Sequence, residues 1–384
     1  MNYDFTESEI ALFTDIREKT DAMAETGGIE SRDPGHCEAR IRKAMDQLSQ
    51  TPYLKLGLLP DEKYNGAASL MGAMEILAAA SPSVYLSIEA GNRLFGRAVA
   101  RWGSDTQRDK WLTPVLEGTA ICALALSKAS FGVENDPPNT VATRDNGAFR
   151  VTGEKPWVIN APVADRIAVA GLWEGVNALF ILEKNHPGLH VGPSVATTAY
   201  PGTPVSGIRL ENCMVPEEQV IFCAETEDMP QMLHLWENHA MIGASLGIAK
   251  TAFETARSHA KQHKSGGKPL IAYQAIGFKL AEMLTLLQTS QLLAFQTAWS
   301  LDNEPKQADE LTLCAKVFCA DAAQRISGEA MRILGRDGCL SGNPVENAYH
   351  CANYGHVAGT STEIARIRIG DAALGWHRRK GTDK

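Results

Sequence analysis

The stretch ALSKASFGVENDPPNTVATRDNGAFRVTGEKPWVINAPVADRIAVAG, residues 125–171, marks a change of structure in this 384-residue chain. Within it, the runs FRVTG and RIAVAG are rich in β-branched and aromatic residues, and Asn146-Gly147 is a turn signal. The runs ALFILE and GIRLEN continue the pattern, with turn signals at Pro187-Gly188 and Pro201-Gly202. Such runs and turns are typical of β-strands. We therefore predict a compact, β-barrel-like domain over residues 120–224.

Helical patterns precede this segment. Thr6 and Glu9 have the spacing of a capping box ahead of the first apolar residues, which predicts a helix start. The segments GAASLMGAMEILAAA and NRLFGRAVARWG place apolar residues at helical spacing. Residues 1–119 are therefore predicted to form a helical domain.

Long helical patterns also follow the β segment, over residues 225–384. Two apolar stripes recur at helical spacing: Ile276, Leu280, Met283, Leu284 and Leu287, and then Leu311, Cys314, Phe318, Ala322, Ile326, Ala330 and Ile333. Stripes of this length usually form a helix bundle. The predicted fold class is α+β, with an N-terminal helical domain, a small middle β domain and a C-terminal four-helix bundle. No GxGxxG follows a predicted strand, which excludes a Rossmann fold.

Composition and charge exclude several classes of function. The formal net charge is −8, and the only basic run is Arg378-Arg379-Lys380, so a nucleic-acid partner is not expected. The cysteines form no CxxC and the histidines no HExxH, which predicts reduced thiols and no metal site. No window reaches the roughly 18 to 20 apolar residues of a membrane span, and the start MNYDFTESEIALF lacks the apolar core of a signal peptide. We expect a soluble, cytoplasmic protein.

Four segments match, in order, the motifs of one enzyme family. Residues 125–171 align without gaps with "ALTEPGAGSD" and "GxKxWITN", and three later segments support the match: MVPEEQVI (214–221), YQAIGFKLAEM (273–283) and ILGRDGCLSGNPVENAY (333–349). Over nearly its whole length the chain thus resembles the acyl-CoA dehydrogenase family. The resemblance implies FAD as cofactor and an acyl-CoA thioester as substrate. It also implies a tetramer that passes electrons to an electron-transfer flavoprotein.

The resemblance implies a set of flavin contacts, some kept and some changed. The positions that keep a suitable residue are Leu126, Ser127, Trp157, Gln274, Gly335 and Gly338. The changed positions are Ile159, which replaces a threonine that donates to the flavin, Val133, which replaces the serine of "GSD", His263, which replaces an arginine, and Arg336, which interrupts a glycine pair. Ile159 and Val133 each remove a hydrogen-bond donor, and Val133 is also assigned to the substrate side of the site. Weakened FAD binding is therefore expected.

The catalytic glutamate of the family's "YEGTSEIQR" turn has no counterpart here. In HVAGTSTEIARIRIG, residues 356–370, that position aligns with Gly359, or with Ala358 after a one-residue slip. Glu363 matches the glutamate of "TSEIQR" and is interpreted as a helix-cap residue. Installing a carboxylate at Gly359 is expected to restore some activity in a chain whose base has been removed.

A second location for the base is found in the isovaleryl-CoA branch of the family, ten residues before the glycine of an "AGGPLG"-like run. Glu237 lies ten residues before Gly247 of IGASLG, so the resemblance implies Glu237 as the base. Asn238 stands where an arginine normally follows. Glu89 and Arg93 form a second candidate pair, which could meet a polar acyl group or solvent.

Three functional hypotheses remain open. The chain could be an active FAD-dependent acyl-CoA dehydrogenase with Glu237 as base, assembled as a homotetramer in the form of a dimer of dimers. It could instead be a flavin-poor subunit of a heterotetramer, or an acyl-CoA-binding member with non-redox chemistry.

Overall fold

The computed structural model describes residues 5–24, 33–60, 63–64, 66–126, 140–223 and 227–375. Two predicted site residues, Ser127 and Val133, lie outside these ranges. The first part of the chain is helical, with α1 (Glu7–Ala24), α2 (Pro34–Ser49), α3 (Gly66–Ala80), α4 (Pro82–Leu86), α5 (Leu94–Trp102), α6 (Asp105–Gln107) and α7 (Thr113–Leu116). A π-helical segment, Ser87–Arg93, joins α4 to α5, and a second, Arg108–Leu112, joins α6 to α7.

Local sequence signals account for the helix starts in this region. The predicted capping box is confirmed: the Thr6 amide donates to Glu9 Oε2 at 2.8 Å, and the Glu9 amide donates to Thr6 Oγ1 at 3.2 Å. The side chain of Asp33 accepts from the amide of His36 and caps α2, whose first residue is Pro34. Both devices satisfy amide groups that have no partner within the helix.

The middle region forms one mixed sheet, as the strand-like runs predict. Its strands are β1 (Cys122–Ala125), β2 (Val141–Asp145), β3 (Ala148–Ile159), β4 (Arg166–Trp173), β5 (Val176–Glu183), β6 (Leu189–Val191), β7 (Val205–Pro216) and β8 (Val220–Phe222). The order is β6-β7-β3-β2-β4-β5-β8, with β1 paired to β4. Most neighbours are antiparallel, but β1 and β2 both run parallel to β4.

Two apolar clusters cover the sheet. One fills the space around Phe149, Phe180 and Val215. The other joins β1, β4 and β5 to helical residues, including Phe95 and Trp111, so the sheet and the N-terminal helices share a core. Asn160 also connects the sheet to the N-terminal helices, because its Nδ2 donates to the carbonyl oxygens of Ser87 and Cys122 at 2.8 and 3.1 Å. A Cβ on Gly91 would meet Asn160 Nδ2 at 2.2 Å, so glycine is required there.

The C-terminal region is a helix bundle, with α8 (Met229–Gln262), α9 (Gln274–Asn303), α10 (Pro305–Leu334), α11 (Pro344–Tyr354) and α12 (Thr362–Ala373). Two short strands, β9 (Lys264–Ser265) and β10 (Lys268–Pro269), pair between α8 and α9. The predicted stripe of α9 is mostly buried, at Leu280, Met283 and Leu287, but Leu284 is 43% exposed. The predicted order of helices, sheet and helices is thus confirmed.

The chain divides into two compact units, Met1–Trp236 and Glu237–Lys384. The first contains the N-terminal helices and the sheet, and the second contains most of the bundle. The two boundaries between the three predicted domains, at residues 119 and 224, remain a prediction. Among the described residues, no helix is long and apolar enough to cross a membrane.

Candidate active site

Glu237 lies in the third turn of α8, at the beginning of the C-terminal unit. Its side chain is half-buried, whereas the next two residues, Asn238 and His239, are buried. Ala240 and Met241 follow and are also buried. The residues that follow Glu237 therefore lie in the bundle core, while Glu237 itself remains partly exposed.

Asn238 connects α8 to the turn that precedes α12. Its Nδ2 donates to Thr360 Oγ1 at 3.0 Å, and the Thr360 amide donates back to Asn238 Oδ1 at 2.9 Å. Gly359 has φ +63°, and a Cβ built there would lie 2.5 Å from Asn238 Oδ1. Position 359 therefore has no room for a side chain. A carboxylate there would have to displace Asn238, which argues against the expectation that it would restore activity.

Lys316 of α10 approaches the same turn from another side. It is only 1% exposed, and its Nζ donates to the carbonyl oxygen of His356 at 3.5 Å. Burial lowers the pKa of Lys316 to about 8, and the charge of Glu237 is the largest effect that opposes this. Nothing in the sequence analysis identified Lys316.

An ion-pair network surrounds this turn on the α12 side. Arg366 donates to both carboxylate oxygens of Asp321, at 3.2 and 2.9 Å, and His356 Nδ1 lies 3.7 Å from Asp321 Oδ1. Burial lowers the pKa of His356, so its imidazole is mostly neutral at pH 7. The Glu363 side chain is 72% exposed, and hydrogen bonding to its own backbone amide lowers its pKa. That geometry is the expected one for a carboxylate at a helix N-terminus, and it supports the interpretation of Glu363 as a cap.

In the first unit, a β-bulge positions Trp157. The register of β3 against β7 shifts between Lys155, opposite Ile208, and Val158, opposite Ser206. Pro156 lies in this bulge, which suits a residue that cannot donate to the ladder. Bulges re-aim side chains, and here the bulge carries the half-buried Trp157.

Other predicted flavin contacts of the first unit lie near this bulge. Lys155 is buried, and its Nζ donates to the carbonyl oxygen of Leu126 at 3.5 Å, which brings the end of β1 to β3. Ile159 ends β3 and is buried. Sequence reasoning missed Lys155, although its inward position in the alternation of β3 was a usable signal.

Glu89 and Arg93 form a closed pair in the core of the first unit. Arg93 Nε donates to Glu89 Oε2 at 2.6 Å, Tyr53 Oη donates to Glu89 Oε1 at 2.7 Å, and the other Arg93 nitrogens donate to the carbonyl oxygens of Leu56 and Tyr53. Burial opposes the charge of Arg93, but Glu89 offsets this and the pKa of Arg93 is raised. The side chains are 3% and 0% exposed, so the solvent contact considered for them is wrong. Their geometry is that of a structural ion pair.

The remaining predicted flavin contacts are in the C-terminal unit. Gln274 begins α9, and His263 follows α8; both are exposed, and the His263 ring stacks on His259 at 4.8 Å. Burial lowers the pKa of His259, and the charge of His263 lowers it further. The charge of Asp337 acts in the opposite direction and raises it.

The turn at residues 335–339 therefore lies near the end of α8. Gly335 has φ +60° and open space where a Cβ would be, and the Arg336 side chain is 96% exposed, whereas Gly338 is buried against α10. Exposed guanidinium, imidazole and amide donors suit an anionic diphosphate. The described residues thus fit the FAD that the resemblance implies.

Comparisons with known proteins agree with this arrangement. Residues 43–119 match the acyl-CoA dehydrogenase N-terminal domain, and residues 232–374 match the acyl-CoA dehydrogenase C-terminal domain. The chain is 30% identical to benzylmalonyl-CoA dehydrogenase of Aromatoleum aromaticum over 266 residues, covering 68% of this chain and 70% of that protein. It is 27% identical to the mitochondrial short-chain specific acyl-CoA dehydrogenase of Homo sapiens over 320 residues, covering 80% and 76% of the two chains.

Solved structures show the same fold. Butyryl-CoA dehydrogenase from Megasphaera elsdenii superimposes with a TM-score of 0.86 at 23% identity, over 97% of this chain and 100% of that one. The chain therefore belongs to the acyl-CoA dehydrogenase family. It is an oxidoreductase of the class that acts on CH–CH bonds, with FAD as its cofactor, as the sequence motifs predicted.

Proposed function

We propose that this enzyme desaturates an acyl-CoA thioester between Cα and Cβ, with Glu237 as the base that removes the Cα proton. The observation that supports this assignment is the pairing of Asn238 with the Gly359–Thr360 turn. Position 359 has no room for a carboxylate, and the residue immediately before Asn238 is a half-buried glutamate. The vacated base position and the new one are therefore neighbours in the bundle.

The chemistry divides between the protein and its cofactor. When bound, FAD supplies an acceptor for the hydride that leaves Cβ. The Glu237 carboxylate takes the Cα proton, and the electron pair of that C–H bond forms the new double bond. A half-buried carboxylate suits this role because it is held by the surrounding bundle while a substrate can still reach it.

The flavin contacts are assigned by chemistry. Trp157, aimed by the bulge of β3, is proposed to contact the isoalloxazine ring, together with Leu126 and Ser127. Gln274, His263, Gly335, Arg336 and Gly338 are proposed to hold the diphosphate end of an FAD bound to a second copy of the chain. The support for this division is the bulge that carries Trp157 and the exposure of the Gln274, His263 and Arg336 side chains.

The substrate class follows from the family, while the acyl chain is left open. Val133 and Gly359 remain proposals for the substrate side of the site. Glu89 and Arg93 satisfy each other in the core, so we assign them to stability and not to the acyl group. The match to both family domains does not favour the non-redox or flavin-poor hypotheses.

We further propose a homotetramer that passes electrons to an electron-transfer flavoprotein in the cytoplasm. Apolar side chains of α9 are exposed, among them Phe278 at 67% and Leu292 at 54%. A groove of about 390 Å³ between α8 and α9 is lined by apolar residues, including Leu280 and Leu287, together with charged residues of α8 such as Lys250. Exposed apolar surface of this kind commonly marks a subunit interface. The eight cysteines, all in described parts of the chain, are thiols, which suits a reducing compartment.

The test is anaerobic reduction of the purified enzyme by a panel of acyl-CoA thioesters. Bleaching of the visible flavin bands by one of them, with formation of the enoyl-CoA product, is the expected result. A flavin-loaded enzyme that no thioester bleaches would contradict the proposed activity.

A further inference from the structure

Strand β1 leads to one proposed flavin contact and β3 carries another, yet no strand ladder joins the two strands within the described residues. β1 pairs with β4, whereas β3 pairs with β2 and β7. Leu126 directly follows β1, and Trp157 lies in the bulge of β3. Ala123 and Val158 share an apolar cluster, but apolar packing is not directional and does not fix how two strands are aligned. The alignment of the two flavin contacts therefore depends on other links between the strands.

Asn160 makes one such link, at the beginning of β1. Its Nδ2 donates to the carbonyl oxygen of Cys122, the first residue of β1, at 3.1 Å, and to that of Ser87 at 2.8 Å. Asn160 directly follows β3, is buried and has φ +67°, a left-handed conformation that asparagine tolerates better than most residues. Its own carbonyl accepts from the amides of Val163 and Ala164 at 2.9 and 2.8 Å. The backbone and the side chain of Asn160 are thus both fixed.

Lys155 makes a second link, at the other end of β1. Its Nζ donates to the carbonyl oxygen of Leu126 at 3.5 Å, and its side chain is buried. This hydrogen bond is longer than those of Asn160, but its donor is charged, which offsets part of the difference. The two side chains therefore donate from β3 and its end to carbonyl groups at opposite ends of β1.

We propose that Asn160 and Lys155 are positioning residues for the flavin: they hold β1 against β3 at both ends and so set the distance between Leu126 and Trp157. This inference rests on the assignment of Leu126 and Trp157 to the isoalloxazine ring under the proposed function. Asn160 and Lys155 act through these two residues. Because the links join strands that lack a common ladder, the loss of either link changes the alignment of the flavin contacts.

The test is the retention of FAD by the holoenzyme on serial dilution, read from the fluorescence of the flavin that is released. The variants are Asn160→Gly, which removes the donor and still permits positive φ, and Lys155→Met, which removes the ammonium group and keeps the length. Asn212→Gly is the matched control, because Asn212 also has positive φ, at +53°, but is exposed on β7. Visible circular dichroism of the bound flavin is the second readout, since it depends on the groups placed around the ring.

We expect the dissociation constant of FAD to rise about three- to tenfold in Asn160→Gly and in Lys155→Met, the size of one lost hydrogen bond, and the circular dichroism of the bound flavin to change. Asn212→Gly should match the wild type in both readouts. Wild-type values of both readouts in the two variants, even with a lowered free energy of unfolding, would overturn the inference and leave the links a structural role alone. If Asn160→Gly does not fold, Lys155→Met decides by the same criterion. Failure of the flavin assignment gives a different result, because Trp157→Phe then leaves the circular dichroism of the flavin unchanged.

Discussion

Asn238 Oδ1 lies 2.5 Å from the point where residue 359 would carry its Cβ, so the side chain of one position excludes a side chain at the other. The two positions are therefore coupled. We expect Gly359→Ala to destabilise the protein strongly, because of both the contact and the positive φ, but to cost less in an Asn238→Ala background. The coupling energy in this double-mutant cycle should be on the order of 0.5 to 3 kcal/mol. Chemical denaturation measures it, and strictly additive effects would contradict the contact.

The same contact changes what to expect from an engineered base. Gly359→Glu introduced into Glu237→Gln should restore no flavin reduction, because the new side chain meets Asn238. Adding Asn238→Ala opens that space, so any recovery should be confined to the triple variant. The rate of flavin bleaching in a single turnover is measured for the double and the triple variant. Recovery in the double variant would show that the turn rearranges more easily than its hydrogen bonds suggest.

Glu237→Gln alone should lower the rate of flavin reduction by ~10² to 10⁴, because the amide keeps the size of the side chain but cannot accept a proton. Binding of acyl-CoA, measured by the spectral shift of the oxidised flavin, should change little. Glu363→Gln is the matched comparison, since Glu363 is an exposed cap, and its loss of rate should be far smaller. The reverse order of effects would assign the base to α12.

Lys316→Met should stabilise the fold at neutral pH. The pKa of Lys316 is lowered from 10.5 to about 8, so the folded state binds this proton less tightly than the unfolded state does. The loss of unfolding free energy caused by burying the charged lysine is fully present below pH 8. It disappears as pH rises from about 8 to 10.5, because in that range the unfolded state binds more protons than the folded state. The gain in unfolding free energy should be about 3 kcal/mol at pH 7, and the charge part of it should shrink toward pH 10. Urea denaturation at several pH values follows both trends, and a gain that stays constant across this range would contradict the assigned cause.

Arg93→Met should destabilise the first unit by about 3 to 5 kcal/mol, because it leaves the Glu89 carboxylate buried without its cation. The KM for acyl-CoA should remain close to the wild-type value, since neither side chain is exposed. Denaturation and steady-state kinetics on the same preparation separate the two effects. A stable variant with a raised KM would instead assign the pair to substrate binding.

Phe278→Lys should reduce the size of the assembly, because it places a charge on the exposed apolar side of α9. Ile10→Lys is the control, as Ile10 is also exposed, at 56%, but lies on α1. Light scattering at micromolar concentration measures both. A wild-type monomer, or equal effects of the two substitutions, would contradict the proposed interface.

Local patterns were sufficient for most of the fold. The capping box at Thr6 and the strand runs around Phe149 are short-range signals, whereas Glu237 was inferred from the family resemblance through its spacing to Gly247 and remains a proposal. The pairing of Asn238 with Thr360 could not be predicted, because it joins residues 122 positions apart and depends on how α8 packs in the bundle. Lys316 was missed for the same reason: its sequence neighbours do not indicate that a charged residue is buried.

The hydrogen bonds between Asn238 and Thr360 also affect the order in which the enzyme folds. Closing a chain segment of 122 residues costs about 4 kcal/mol of loop entropy, so we expect this contact to form after the local helices. Helical signal should therefore return early in refolding, whereas catalytic competence should return late. During synthesis, Glu237 is added long before Thr360, the residue that fixes the turn beside it.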